Sequence, residues 1–329
     1  MVAGGVELLT RATVSALGMS EISLAAFILH RVLWTIPVIL VAILFTFLLV
    51  RAIATGPYAP QNQPPALRAE YHLDEPWYVQ YAYYVKGVFT FDFGPSSSRN
   101  RPVADIIEQQ YPNSLLLGLL AFAWAVAIGV PAGVYAALHP GSIRDNVLMA
   151  VTAIGYALPN FFVATLLIYY FAVKLGWLPT SGWPDEHWHL DRRVILPSLT
   201  LSLVPMAWFA RLTRGAMLET LAQDYVLAAR GKGLPHGQVV LRHVFRNALF
   251  PLVTVAGPML AVLITGTFVV EWIFSIPGIG RYFITAAFGR DYFVLLDITV
   301  ILSVTIVIVN LLVDIAYFLL DPRTRDVPA

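Results

Sequence analysis

The residues that could do chemistry are concentrated in one basic stretch of the second half of the chain. The stretch DYVLAARGKGLPHGQVVLRHVFRNALFP, residues 224–251, carries six basic side chains, Arg230, Lys232, His236, Arg242, His243 and Arg246. Its lysine stands between two glycines, which raises the question of phosphate binding. A phosphate-binding loop needs the spacing G-x-x-x-x-G-K-[ST], and this spacing occurs nowhere in the 329 residues. We therefore predict no catalytic residue and no nucleotide site in this chain.

A second stretch, SGWPDEHWHLDRR, contains possible ligands for a divalent cation. They are Asp185, Glu186, His187, His189 and Asp191. Metal-binding histidines are normally held by further hydrogen bonds, and alternating histidines in a loop have no such support, so we predict no metal site. With Cys 0, thiolate chemistry is excluded. Serine, histidine and aspartate are present, but no nucleophile-elbow sequence organises them for hydrolysis.

The composition indicates an integral membrane protein. The chain is 58% hydrophobic and only 12% charged, with a mean hydropathy of +0.71. Soluble domains carry about 25% charged residues. A net charge of +1 also argues against a nucleic-acid partner, which requires a basic face.

Apolar runs of spanning length predict an all-α fold with six transmembrane helices. They are Val32–Val50, Leu115–Leu138, Val147–Val173, Val194–Ala210, Leu249–Val270 and Val294–Leu320. With both termini in the cytoplasm, inside segments hold eleven Lys and Arg residues. Outside segments hold five once the loop 51–114 is set aside, because such long loops cross regardless of charge. We therefore predict that both termini are cytoplasmic.

This topology divides the chain into two parts. Residues 1–30 form an N-terminal extension, and residues 31–329 form the transmembrane domain. Within that domain, 51–114 is an external loop and 211–248 is the main cytoplasmic loop. The external loop contains WYVQYAYYVKGVF, whose aromatic residues recur at near-helical spacing. Their amphipathic rings suit a membrane interface, which predicts a helix lying on the outer surface.

The cytoplasmic loop has the pattern of a bent helical segment, which we call the elbow, residues 224–242. Ala228 and Ala229 favour helix, and Gly233 and Pro235 would end that helix and turn the chain. The following GQVVLRHVF resumes a helical pattern. The residues leave an alternative open: an ordinary loop whose arginines fix the topology and bind anionic lipid head groups.

The elbow and its surroundings resemble the permeases of binding-protein-dependent ABC importers, in their oligopeptide, dipeptide and nickel branch. The cytoplasmic signature of that family is EAA, three residues, then Gly; here Ala228, Ala229 and Gly233 stand at its alanines and glycine. Leu227 replaces the usual Glu, and Pro251 comes about five residues later than the usual closing proline. Further similar motifs follow in family order: LDEPWYVQYAYYVKGVFTFDFG, LPTSGW, ILPSLTLSL, ARLTRGAMLE, IPGIGRYF, GRDY and NLLVDIAYFLLDPR.

The resemblance implies a job for the elbow. In similar permeases this helix-turn inserts into a cleft of a cytoplasmic ATPase. The implied contact residues are Ala228, Ala229, Gly233, Leu234 and Pro235. Basic support for an acidic partner surface would come from Arg230, Lys232, Arg242 and Arg246. ATP and magnesium would be bound by the partner subunits, with no cofactor in this chain.

The same resemblance implies partners, a location and a substrate. The partners are a second homologous permease, two ATPase subunits and an extracytoplasmic substrate-binding protein. That protein would dock on 51–114 and on the segment Glu271–Tyr292. The location is the bacterial or archaeal cytoplasmic (inner) membrane, with several passes through the lipid bilayer. The substrate is a di- or oligopeptide; nickel chelates, glutathione or another small solute stay open.

Two polar residues within the last predicted span are candidates for contacts inside the bundle. Asn310 and Asp314 lie one turn apart on the same helix face, and we expect helix–helix hydrogen bonds rather than substrate contacts. Few other charges lie in the spans, whereas an ion-coupled carrier would place more at mid-depth. Such a stand-alone carrier, and a receptor or scaffold that binds a partner through 211–248, are the alternatives from other functional classes.

Overall fold

The computed structural model describes residues 24–52, 65–70, 72–96, 101–184, 190–289 and 291–320. Regular structure in these ranges is helical, apart from one isolated bridge between Pro95 and Pro102. The α-helices are α1 Leu24–Ala52, α2 Pro65–Glu70, α3 Trp77–Thr90, α4 Val103–Leu138, α5 Ile143–Ala157, α6 Asn160–Leu167, α7 Ile195–Leu221, α8 Asp224–Gly231, α9 His236–Gln238, α10 Arg246–Thr265, α11 Phe268–Ile273, α12 Ile279–Gly289 and α13 Tyr292–Leu320. Two π-helical segments, Ile168–Lys174 and Val239–Phe245, continue α6 and α9, and a 3₁₀ turn, Arg192–Val194, precedes α7.

Five helical stretches of the described chain are long and apolar enough to cross a membrane, and a bent pair of helices forms a sixth candidate. The prediction of a single helix over Val147–Val173 is wrong in this respect. The stretch consists of two helices, Ile143–Ala157 and Asn160–Lys174, which meet at 108°. The cause is Pro159, because a residue that precedes proline is pushed out of the helical region. Leu158 accordingly adopts φ −80 and ψ 130.

Several helices extend beyond the apolar runs that predicted them. Helix α1 begins at Leu24, inside the predicted N-terminal extension, whose residues 1–23 lie outside the described chain. Helix α4 begins at Val103, so the end of the predicted external loop 51–114 is helical. Helix α7 continues to Leu221, which makes the first part of the predicted cytoplasmic loop 211–248 a direct extension of a candidate span. The added ends of α4 and α7 are polar, and a hydropathy criterion does not detect polar helix ends.

Helices α4 and α7 form the tightest pair in the bundle because small residues let their backbones approach. A Cβ added at Gly129 of α4 would lie 2.5 Å from the carbonyl oxygen of Met206, and one at Gly133 would collide with the carbonyl oxygen of Ala210. Small residues at helix crossings are typical of membrane bundles. This pair forms the support from which the elbow projects.

The predicted surface helix in the external loop is present as α3. Tyr81 Oη donates to the carbonyl oxygen of Leu40 at 2.9 Å, and Tyr84 Oη donates to Asp297 Oδ1 at 2.7 Å. The ring of Phe47 stacks on Tyr84 with centroids 6.1 Å apart. Helix α3 is therefore fixed to α1 and α13, with its other face exposed.

Candidate functional site

The elbow turns at a residue whose backbone conformation suits glycine. Helix α8 ends with Lys232 N–H donating to Ala228 O at 3.1 Å and Gly233 N–H donating to Arg230 O at 2.9 Å. Gly233 has φ +76, in the left-handed region, which costs other L-residues about 1–2 kcal/mol. No atom lies within 4 Å of the position a Cβ would take there. The turn thus presents bare backbone to its surroundings.

The predicted contact residues do not all face outward. Ala228, Gly233 and Pro235 are exposed. Ala229 is only 7% exposed, in a core cluster that includes Val226, Val239, Val240 and Val244, and Leu234 packs partly buried against the same cluster. The elbow therefore has an inner face that holds it to the bundle and an outer face available to a partner.

The outer face includes an apolar residue that sequence reasoning did not select. Leu227, which stands where the resembled family has a glutamate, is 55% exposed beside Ala228. An exposed leucine next to an exposed alanine on a projecting helix offers apolar contact area. The available signal in the sequence was its position in the family signature. There, leucine in place of glutamate indicates a departure from the family pattern and does not by itself indicate a contact.

The four basic residues predicted to support the elbow are exposed. Arg230, Lys232, Arg242 and Arg246 have no carboxylate within ion-pair distance in the described part of the chain. Among the described residues, therefore, these four charges are not neutralised by a carboxylate. Such a surface is complementary to an acidic partner.

The elbow has two helical arms: α8 is the first, and the residues from His236 onward are the second. The second arm belongs to a membrane span. From His236 the chain is continuously helical through α9, the π-helical segment Val239–Phe245 and α10. The first arm is joined to the same span by a side-chain bond, because Asn247 Nδ2 donates to Tyr225 Oη at 2.8 Å and to His243 O at 2.7 Å. Displacement of the elbow would consequently be transmitted to α10. Single π-turns within helices are frequent at functional sites.

A charged pair braces the helices beneath the elbow. Arg214 Nε and Nη2 of α7 donate to Asp145 Oδ1 and Oδ2 at 2.6 and 2.7 Å. Asp145 is fully buried and also accepts from Gly141 N–H at 2.9 Å, while its own N–H donates to Ser142 Oγ at 3.2 Å. Sequence reasoning counted Arg214 only as a topogenic charge. The spacing of Ser142 and Asp145, which resembles a capping box, was the available signal for a helix start.

The opposite end of the bundle contains a second buried carboxyl group, on Glu271. Ser114 Oγ and Thr267 Oγ donate to Glu271 Oε1, each at 2.6 Å, and Arg281 N–H donates to Oε2 at 2.8 Å. Ser114 Oγ also accepts from Ile279 N–H at 2.8 Å. The segment from Glu271 was expected to be a docking surface, but Glu271 itself is 0% exposed. It fastens the start of α12 to α4 instead.

The predicted polar contacts in the last span are only partly of the expected kind. Asp314 Oδ2 pairs with Arg31 Nη1 of α1 at 3.2 Å, so Asp314 does join two helices. Asn310 makes no side-chain hydrogen bond within the described residues. A propensity argument could place both on one face but could not identify Arg31 as the partner.

No group of three or more His, Asp or Glu residues within the described ranges could hold a metal ion. The loop residues Asp185, Glu186, His187 and His189 lie outside those ranges. Asp191 is described, and its Oδ2 pairs with Arg193 Nε at 2.7 Å.

Comparison with known proteins places this geometry in context. Residues 129–326 match the sequence profile described as "Binding-protein-dependent transport system inner membrane component". The chain is 42% identical over 293 residues to the dipeptide transport system permease protein DppB of Bacillus subtilis, with 87% of this chain and 94% of that protein covered. It is 37% identical over 305 residues to the oligopeptide transport system permease protein OppB of Escherichia coli K12, with 91% and 99% covered.

Among solved structures, an inward-facing form of the MetNI methionine ABC transporter is similar. The TM-score is 0.55 at 19% sequence identity, and the match covers 66% of this chain and 96% of that one. At this identity the likeness shows the fold alone.

Proposed function

The chain belongs to the family of binding-protein-dependent transport system inner membrane components and is a multi-pass permease subunit of an ABC importer; from this premise we propose that it imports di- and oligopeptides and is driven through its elbow. Its fold is the type I permease fold of such importers. The observation that carries the proposal is the elbow itself: an exposed, glycine-turned helix pair whose second arm is continuous with a membrane span.

The elbow receives the motion of a separate ATPase subunit. Its exposed residues Leu227, Ala228 and Gly233 form the contact, and Arg230 and Lys232 pair with acidic residues around the ATPase cleft. ATP and magnesium are bound by that subunit and not by this chain. When two ATPase subunits close on ATP, the push on the elbow passes through the bond between Tyr225 and Asn247 and along the helix into α10.

The remaining partners follow from the same assignment. A second, homologous permease encloses the pathway together with this chain, and an external binding protein delivers substrate to the end of the bundle that contains Glu271. The elbow and both termini then lie on the cytoplasmic side. The positive charges of the elbow support this orientation, because cytoplasmic segments carry an excess of Lys and Arg.

The peptide class is supported by the relatives, which are named as dipeptide and oligopeptide permeases and match over nearly their full lengths. A peptide carrier has to accept many side chains. Selection by the binding protein and a permissive passage through the permease satisfy that need. Nickel chelates, glutathione and other small solutes are the competing substrates.

Purification and transport together test the proposal. The tagged chain should co-purify with an ATPase, and in proteoliposomes the complex should take up a labelled peptide only with ATP and the binding protein, with vanadate blocking uptake. Uptake by this chain alone on an ion gradient would contradict the proposal and favour a carrier. If the complex took up a nickel chelate with ATP but no peptide, the ABC mechanism would stand and the peptide substrate class would be rejected.

A further inference from the structure

One side of helix α7 is left open by the packing of the bundle. Helix α4 covers the side of α7 that carries Met206 and Ala210. Successive helical residues rotate by about 100°, which places Gly215 on roughly the opposite side of α7. A Cβ added at Gly215 would meet no atom within 4 Å. Gly215 and Glu219 are exposed and Arg211 is partly buried, so the surface of α7 around Gly215 is accessible.

This accessible side has a charge of opposite sign at each end. Arg211 and Glu219 lie four residues before and four residues after Gly215, so the three residues follow one strip of the helix surface. Neither side chain is paired with an opposite charge in the part of the chain that the structure describes. The nearby Arg214 differs, because Asp145 neutralises it.

The two ends of the strip adjoin different helices. The Arg211 guanidinium lies over the ring of Tyr156 of α5, with its carbon 4.7 Å from the ring centroid, and Tyr156 is 52% exposed. Glu219 borders a pocket of about 430 Å³ whose other lining residues, Thr220, Gln223, Tyr225 and Asn247, all carry hydrogen-bonding groups. The strip thus has α5 at one end and α10 at the other, and it lies on the last turns of α7 before the elbow.

The spacing of the two charges matches a short peptide. Eight helical residues correspond to a rise of about 12 Å, and an extended chain of four residues spans about 13 Å. We propose that the strip Arg211–Gly215–Glu219 is a binding site for short zwitterionic peptides, in which Arg211 pairs with the terminal carboxylate and Glu219 with the terminal ammonium group. This inference rests on the proposed function, since it assigns the peptide substrate to named residues of this chain.

Recognition of the two termini explains how one surface can serve many sequences. Every unmodified peptide carries both terminal charges, whereas side chains vary and would point across the bare position of Gly215. The aromatic face of Tyr156 holds the guanidinium in place without neutralising it, because a cation over a ring keeps its charge and its outward N–H donors.

The test uses a cysteine in the strip. The chain contains no cysteine, so Gly215→Cys gives this subunit a single thiol. The complex of this chain with its partner permease and ATPases is held in inside-out vesicles without nucleotide, and maleimide labelling of the subunit is timed. Tetra-alanine should slow labelling, and N-acetylation or C-amidation should each raise the half-protecting concentration by about fivefold, the upper range for an exposed ion pair.

The variants assign each terminus to one residue. Arg211→Gln should abolish the effect of amidation but keep that of acetylation, and Glu219→Gln should do the reverse, while Arg211→Lys keeps the amidation effect. Arg144→Gln and Glu108→Gln, which remove exposed charges elsewhere, should change neither. Equal protection by free and doubly blocked peptide, or none by either, would overturn the site. The site would also be overturned if Arg211→Gln changed the labelling rate only when phosphatidylglycerol is added. That result would mean that Arg211 binds lipid.

Failure of this inference is separable from failure of the proposed function. Uptake of tetra-alanine with ATP and the binding protein is measured with the same complex. Normal uptake combined with labelling that ignores the peptide termini would reject the strip alone. Absence of uptake by the unmodified complex would reject the peptide-import function.

Discussion

Asn247 Nδ2 donates to Tyr225 Oη across 2.8 Å, which joins the first arm of the elbow to the span that its second arm enters. Val226 and Ala229 of α8 add apolar contacts with the bundle. The bond between Asn247 and Tyr225, which we call the brace, connects the two helical arms of the elbow in addition to the turn at Gly233. Because the arms are connected at two points, a displacement of α8 is passed to α10 rather than absorbed by bending at the turn.

Tyr225→Phe is expected to weaken coupling without unfolding the protein. The change removes the acceptor of the Asn247 bond, and a single hydrogen bond is worth about 0.5–1.5 kcal/mol net. Peptide moved per ATP hydrolysed should fall by about two- to tenfold in proteoliposomes, while ATP hydrolysis continues. Tyr78→Phe, on an exposed tyrosine of α3, is the matched control. An unchanged amount of peptide moved per ATP hydrolysed in Tyr225→Phe would show that the bond between Tyr225 and Asn247 does not contribute to coupling.

Gly233→Ala should reduce uptake with normal abundance in the membrane. The added methyl group meets no atom of this chain, so the cost is the left-handed conformation, about 1–2 kcal/mol, and intrusion on the bare backbone offered to the ATPase. Gly237→Ala is the control, because Gly237 is equally open but helical. Normal uptake by the Gly233→Ala variant together with defective uptake by the Gly237→Ala variant would contradict the assigned turn.

The sequence was sufficient for features that depend on local chemistry. Long apolar runs locate the spans, since a helix satisfies its own backbone hydrogen bonds in lipid, and Gly233 with Pro235 locates the turn of the elbow. The break before Pro159 was detectable as a proline, but its angle of 108° depends on what α5 and α6 pack against.

Features that depend on partners distant in the sequence could not be predicted in the same way. Ala228 and Ala229 are identical in type, and only tertiary packing decides that the second one is buried. Glu271 sits in an apparently exposed segment, and its burial depends on Ser114, which lies 157 residues earlier. Arg214 is one of several arginines on its side of the membrane, and its partner Asp145 becomes evident only when α5 meets α7.

Glu271→Gln should destabilise the end of the bundle opposite the elbow. The carboxyl group of Glu271 accepts from two hydroxyl groups and one backbone N–H, and the amide NH₂ of glutamine would face one of these donors. We expect a loss of about 2–3 kcal/mol in the free energy of unfolding, seen as a lower midpoint of thermal unfolding in detergent. Glu108→Gln, on an exposed glutamate, should leave the midpoint unchanged. Equal midpoints for both variants would contradict the fastening role.

Asp145→Asn and Arg214→Gln should each lower the amount of folded protein in the membrane. Each single change leaves a buried charge or donor without its partner, and such losses exceed the worth of the intact pair. The double variant Asp145→Asn/Arg214→Gln should therefore recover part of the loss. Abundance by immunoblot and thermal midpoint, compared across the cycle, measure the interaction. Strictly additive losses would mean that the two residues act independently.

Crosslinking from the two neighbouring alanines of α8 tests the central claim, that the elbow's exposed face meets an ATPase. In this cysteine-free chain, Ala228→Cys and Ala229→Cys are each treated with a short bifunctional thiol reagent in membranes that contain the assembled complex and cysteine-bearing ATPase subunits. Ala228→Cys should capture the ATPase, and Ala229→Cys, at a position only 7% exposed, should not. Capture from the buried position, or from neither, would contradict the account.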